Sequence, residues 1–380
     1  MTTEHSALLE RFQSGVLASL KSEFVAKDDI IDLMGVCLIA RENIFLYGPP
    51  GTAKSALING LSARIEGESF DYLLTRFTEP NELFGPFDIS RLREGELVTN
   101  TEGMLPRADI VFLDELLNAN SAILNSLLMA LNERVFRRGR ETSQLPALFF
   151  AGASNHLPEE ETLQALFDRF LIRVECGPVP ESELEQVLSK GWQLEKSVRP
   201  PSGITADDVR SLQSLIPTVD LTPAREAYLD LVRKLRSAGL ALSDRRAVRL
   251  QRIIASSALL CGRTSARPSD LWILKHIWDR SEQAEVLAAI VNASLESLEL
   301  NEQDHPRAQP GNIPDPENLA TSLSEISKIL GDTTQSDSNR AATLDQLRAL
   351  SSRIQWLPEG PARQELETRA QALWPSESNA

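Results

Sequence analysis

Two short stretches of the chain hold residue types suited to phosphate chemistry. Gly48-Pro49-Pro50-Gly51-Thr52-Ala53-Lys54-Ser55 follows the apolar run IFLY directly and precedes the helical run ALINGLSARI. Strand, glycine-bearing loop and helix in that order is the setting in which a backbone wraps a triphosphate. Glycines let N–H groups turn inward, the helix amino terminus adds positive potential, and a lysine reaches the β and γ phosphates while the next hydroxyl ligates magnesium. Lys54 and Ser55 are therefore expected to hold ATP and Mg2+, with residues 48–55 as the cradle. The general pattern has glycine just before the lysine; Ala53 stands there instead, at little cost provided its backbone is not left-handed.

The second stretch is Ile110-Val111-Phe112-Leu113-Asp114-Glu115, an apolar run ending in two acids. In an open parallel sheet, ligands sit off the carboxyl ends of strands, so both acids would face the phosphates. Asp114 suits the magnesium shell, and Glu115 is placed to orient and deprotonate the attacking water. Paired acids after a strand also cap helices. Their position roughly sixty residues beyond the loop is what favours the chemical reading. Asn155 ends the run ALFFAGAS, where its amide could bridge attacking water or γ-phosphate. His156 beside it reads as a loop residue.

These side chains need a scaffold. Short β-like runs at 44–47, 70–74, 110–113, 147–154 and 170–174 alternate with helical ones, which predicts a parallel five-stranded sheet covered on both faces. Apolar positions from Leu8 to Leu38 recur at helical spacing and lead into it. The expected division is an α/β nucleotide-binding core with amino-terminal helices over 1–180, a linker over 181–204 and a small all-α domain over 205–300. A Pro-rich mobile linker over 301–318 and a helical extension over 319–380 follow. In the all-α domain, Thr222-Pro223 starts one helix, Gly239 stops it, Ser243 starts the next, and a third begins near Pro268 and runs through Trp278. Three helices are expected in the extension, at 319–330, 340–356 and 361–373.

Composition narrows the class. The chain has 380 residues and a formal net charge of −15, which on average repels phosphate backbones and lowers the expectation of nucleic-acid binding. Its three cysteines are dispersed and odd in number, which suggests neither a disulfide framework nor a metal knuckle. No apolar run has the length of a membrane span and the amino terminus lacks signal-peptide features, so a cytoplasmic location is expected.

With Asp114, Glu115 and Asn155 in order behind GPPGTAKS, the chain resembles AAA+ ATPases. The stretches LTRFTEPNELFGPFDI (74–89), EGMLPRADIVFLDELLNANSAILNSLLMALNER (102–134), AGASNHLPEEETLQALFDRFLIR (151–173) and LSDRRAVRLQRI (242–253) look like the MoxR family, RavA-like subfamily. The resemblance spans roughly residues 10 to 280 and leaves out the tail after 300. It implies a P-loop NTPase core with an all-α lid, ATP hydrolysis in a homo-hexameric ring, and remodelling of a protein client or metalloprotein complex. A von Willebrand A domain partner is also implied.

At matching positions the resemblance implies Asn155 as sensor 1 and Arg169 of the DRF triplet as an arginine finger for the next subunit's γ-phosphate. It implies Arg245 of SDRR as sensor 2, with adjacent Arg246 as the alternative. An arginine supplied from a neighbour stabilises transferring charge and makes hydrolysis depend on assembly. The plain alternatives are ion pairs of Arg169 with Asp168 or Glu175, and of Arg245 with Asp244. The resemblance further implies an insertion at 84–104 and a hairpin at 134–146. In the hairpin, Arg134, Arg137, Arg138 and Arg140 flank Val135 and Phe136, either gripping an acidic partner or nucleic-acid strand or forming a solvated face. A protein remodeller is the leading expectation; a nucleic-acid motor and a slowly hydrolysing nucleotide-gated scaffold are the alternatives.

Overall fold

A computed structural model describes residues 2–194, 203–308 and 316–331, apart from positions 96, 139, 140, 159, 297, 299 and 302, together with part of 343–374. Among the described residues there are seven strands, β1 (Ile44–Tyr47), β2 (Ser69–Leu73), β3 (Ile110–Asp114), β4 (Val135–Arg138), β5 (Glu141–Gln144), β6 (Phe149–Ser154) and β7 (Ile172–Glu175). Five form a parallel sheet in the order β2-β3-β6-β1-β7, and β4 and β5 pair as a separate antiparallel hairpin. The central strand β6 is buried along its whole length, as a continuous apolar run covered on both faces must be.

This order decides where the chemistry sits. Tyr47, the last residue of β1, is level with Ser154 on one side and Glu175 on the other, while Leu73 is level with Asp114. The loop from Gly48, the acids from β3 and Asn155 after β6 therefore emerge side by side at the carboxyl end of the sheet. Residues far apart in the chain become neighbours because crossover helices return every strand in the same direction.

The amino-terminal segment is helical over Thr3–Arg11, passes through a π-helical stretch at Phe12–Ala18, and continues as a helix over Ser19–Glu23. The following helix, Asp28–Ala40, is buried from Ile30 onward and ends at Arg41 in a left-handed conformation. Thr222–Ser237 and Asp244–Leu260 follow the expected punctuation, with Ser243 Oγ accepting from Arg246 N at 3.2 Å and Gly239 at φ 84°. The all-α segment opens with Ala206–Leu215, which is bonded to the core: Gln213 Nε2 donates to the carbonyl oxygens of Leu38 and Leu148.

Three expectations need correction. Within the expected linker 181–204, Leu184–Leu194 is a helix, because Leu184, Val187, Leu188 and Trp192 repeat at helical spacing and Pro180 marks only its start. Residues 195–202 lie outside the described residues. The helix expected through Trp278 is a 3₁₀ helix confined to Pro268–His276, with a separate α-helix at Glu282–Glu296. The proposed mobile linker at 301–318 is in part firmly docked. Asp304 and His305 are buried, Ser269 Oγ donates to Asp304 at 2.6 Å, and His305 stacks on Trp272 at 4.4 Å. Arg307 pairs with Asp29 and, at 3.0 Å, with Asp32. The side chains of Asp304, His305 and Arg307 tie this strap down.

Further along, the helices Pro316–Gly331 and Pro361–Gln371 share a small apolar cluster that includes Leu319, Leu323, Leu347 and Leu366. The expected helix at 340–356 falls largely outside the described residues. No helix among the described residues is long and apolar enough to cross a membrane.

Candidate functional site

The loop after β1 owes its shape to backbone conformations that glycine permits. A Cβ on Gly48 would stand 2.2 Å from the carbonyl oxygen of Cys176, so only glycine fits, and Gly51 has φ 81° in open space. Ala53 is also left-handed, at φ 66° and ψ 20°. The condition under which alanine costs little is therefore not met; the loop carries about 1 to 2 kcal/mol of steric strain at that residue. Lys54 is buried, its Nζ donating to the carbonyl oxygens of Gly48 at 2.7 Å and Pro49 at 2.9 Å. Thr52 Oγ1 donates to the same Pro49 oxygen. The helix Lys54–Ser62 starts without a side-chain cap, so its first N–H groups are free to meet an anion.

Ser55 Oγ donates to Asp114 Oδ2 at 2.9 Å, and Asp114 Oδ1 accepts the backbone N–H of Glu115 at 2.9 Å. Glu115 itself is left-handed, at φ 48° and ψ 42°, which swings its side chain off the line of the strand. Its Oε2 is buried and has no hydrogen-bond partner among the described residues. A buried carboxylate oxygen left unpaired is costly, which singles out Glu115 among the acids at the strand ends. A serine hydroxyl beside an aspartate is the hard-oxygen donor set that magnesium takes, so the residues present fit that ion.

Asn155 is exposed directly after Ser154, whose carbonyl accepts from Gly48 N at 3.1 Å. The amide thus stands one residue from a bond to the phosphate loop. His156 is a loop residue, with its Nε2 at 3.3 Å from Asn118 Oδ1.

The arginines lie elsewhere. Arg169, Arg245, Arg246 and Arg249 line one cavity of about 140 Å³ together with Asp168, and no residue of the 48–55 loop lines it. Burial lowers the pKa of Arg169, Arg245 adds repulsion, and Asp168 opposes it. Arg169 Nε is buried without a hydrogen-bond partner among the described residues. Asp168 and Asp244 are engaged with other residues: Asp168 lies 3.6 Å from Arg173 and Asp244 2.6 Å from Arg236. Arg245 is exposed and lies 3.5 Å from Asn132 Oδ1, whereas Arg246 is tied to Asp279 at 2.7 Å and to the Ile277 carbonyl. Sequence reasoning passed over Arg173 and Asp279. The available signal was an arginine inside the apolar strand FLIRV, a position that demands a partner.

The segment around residues 84–87 and the β4–β5 hairpin pack on each other. Phe84 stacks on Phe136 at 5.4 Å, and the Arg138 guanidinium lies 3.9 Å from the Phe87 ring while donating to the Gly85 carbonyl at 2.6 Å. Arg134 is likewise turned inward, over Phe150 and onto Asn43 Oδ1 at 2.7 Å. Arg137 is exposed, and Arg140 falls outside the described residues.

A five-stranded β2-β3-β6-β1-β7 sheet, a glycine loop bonded through Ser55 to a strand-end acid, and a helical lid define a P-loop NTPase of the AAA+ class. Comparison with known proteins agrees. Residues 10–214 match the profile of the MoxR domain in the MoxR-vWA-beta-propeller ternary systems, and residues 226–291 match an AAA lid domain. The chain is 37% identical over 266 residues to the uncharacterised protein MJ0812 of Methanocaldococcus jannaschii, covering 70% of each. It is 28% identical over 206 residues to chaperone MoxR1 of Mycobacterium tuberculosis, covering 52% of each. A crystal structure from Cytophaga hutchinsonii, described as an ATPase candidate, superimposes with a TM-score of 0.63 at 18% identity, over 78% of this chain and 97% of that one. The chain belongs to the MoxR family of AAA+ ATPases. The matching profile names MoxR and not its RavA-like branch.

Proposed function

We propose that this chain is a magnesium-dependent ATPase that works as a cytoplasmic ring, most simply a homo-hexamer, and couples hydrolysis to remodelling a protein client. The observation that carries the reading is the separation of two half-sites. Lys54, Ser55, Asp114 and Glu115 gather at the strand ends, while Arg169 and Arg245 share a cavity that no residue of the phosphate loop lines. Two charge-stabilising arginines set apart from their own phosphate loop make sense if they serve the loop of a neighbour. In this reading Lys54 binds the β and γ phosphates, Glu115 takes the proton of the attacking water, Asn155 orients that water, and Arg169 acts as the finger. Arg245 takes the sensor 2 role, since Arg246 is already committed to Asp279. Ser55 and Asp114 would hold magnesium, which when bound neutralises phosphate charge and aligns the leaving group.

The names of the matching profile and of MoxR1 support a von Willebrand A partner and a chaperone-like role. The nucleic-acid alternative is weakened: Arg134 and Arg138 are committed to internal contacts, and the net charge is −15. The deciding experiment is calorimetry with Mg-ATP on the intact chain, followed by ATPase assays across protein concentration. Binding that disappears in Lys54→Ala, with turnover per chain that rises as the chain assembles, is expected. Turnover per chain independent of concentration, with no assembled species at any concentration, would sink the ring.

A further inference from the structure

Arg173 places a guanidinium in the middle of strand β7 and is 0% exposed. Its Nη1 donates to Asp279 Oδ1 at 2.5 Å and to the Trp278 carbonyl at 2.6 Å. Its Nη2 donates to the Phe167 carbonyl at 3.1 Å and lies 3.6 Å from Asp168, and the guanidinium rests 4.1 Å from the Phe167 ring. Arg173 therefore grips the two residues immediately before Arg169. Asp279 Oδ1 also accepts from Arg246 Nη1 at 2.7 Å, and Arg246 immediately follows Arg245 in the first turn of its helix. The segment bearing Asp279 is itself seated on the core, with Trp278 against Tyr47 and Phe167 at ring separations of 6.3 and 6.4 Å.

We propose that Asp279 is a positioning residue for ATP hydrolysis: one carboxylate oxygen joins Arg173 of the core to Arg246 of the lid and thereby holds Arg169 and Arg245 together as a single unit offered to the next subunit. The proposal rests on the reading that these arginines act on a neighbour. Two guanidinium groups brought to one oxygen repel each other, and the carboxylate between them is what makes the approach favourable. Without its charge the lid helix and the finger segment lose their common anchor. A displacement of about 1 Å at a charge-stabilising group lowers turnover by roughly 100-fold.

The test uses the full-length chain. Asp279→Asn keeps the size of the side chain and removes its charge; Arg246→Gln releases only the lid arm and leaves the buried Arg173–Asp279 pair in place, so it covers the case in which Asp279→Asn fails to fold. For each, nucleotide affinity within about 2-fold of wild type and turnover reduced roughly 10- to 100-fold are expected. Mixed rings then separate positioning from mere folding. Asp279→Asn subunits retain a working phosphate loop, so a 1:1 mixture with Glu115→Gln is expected to recover about a quarter of the wild-type rate, one interface in four joining an intact loop to intact arginines. A mixture of Asp279→Asn with Arg169→Ala is expected to recover nothing. Unchanged turnover, nucleotide affinity lost in step with turnover, or recovery with Arg169→Ala overturns the proposal. The control mixture of Arg169→Ala with Glu115→Gln keeps the two ideas apart: if that mixture stays inactive, the neighbour-acting reading itself has failed.

Discussion

Ser55 Oγ and Asp114 Oδ2 share a hydrogen bond of 2.9 Å that links the helix after the phosphate loop to the end of β3. The serine hydroxyl donates to the carboxylate, which leaves its oxygen lone pairs available to a cation. If that pair holds the cation, Ser55→Ala should weaken ATP binding by about 10-fold or more in magnesium and leave binding in EDTA nearly unchanged. Calorimetry under both conditions checks this. Equal weakening in the two buffers would make the serine a loop-folding residue instead.

Glu115 is held in a left-handed conformation with a buried, unpartnered oxygen. Changing that oxygen to an amide nitrogen removes the proposed base without changing the volume. Glu115→Gln is expected to bind ATP as wild type does and to lose turnover by roughly 100- to 10,000-fold, the usual weight of a general base. Single-turnover assays read the effect, and turnover within a few-fold of wild type would remove Glu115 from the role.

Ala53 has φ 66°, where a Cβ meets the following carbonyl. Ala53→Gly relieves that clash but loosens the unfolded chain, for a net gain of about 1 kcal/mol. Urea denaturation should show a higher midpoint at unchanged slope. A lower midpoint would mean that the methyl group packs favourably enough to outweigh the clash.

His305 is buried against Trp272, and burial, followed by the nearby Lys21, Arg307 and Arg263, pushes its pKa well below the ordinary 6.5. The unfolded chain takes a proton at this residue that the folded chain refuses. Its share of stability is thus complete above about pH 6.5 and is lost as pH falls below it, at up to about 1.4 kcal/mol per pH unit. His305→Gln should flatten the decline between pH 6.5 and 5.5, as read from denaturation midpoints. An unaltered decline would place the titrating group elsewhere.

The placement of much of the candidate site was legible because it is local. Residues 48–55 follow one another, and Asp114 and Glu115 are adjacent, so spacing alone suggests the chemistry proposed for them. The strands were legible for a related reason: a strand buried on both faces must be apolar throughout, and such runs at the expected places became β1, β3 and β6 within a residue or two. The strap at 303–308 was not legible, because prolines and polar residues look alike whether they face solvent or bond to a distant helix, as Arg307 does to Asp32.

By itself, then, the amino-acid order determined the phosphate loop, the paired acids and the parallel sheet that brings them together, since each rests on near neighbours and on the period of the backbone. The tertiary structure alone decided that Ala53 is left-handed, that Arg134 and Arg138 turn inward, and that Asp279 gathers Arg173 and Arg246. Those outcomes depend on which groups share a desolvated space, and charges distant in sequence meet only after the chain has folded around them.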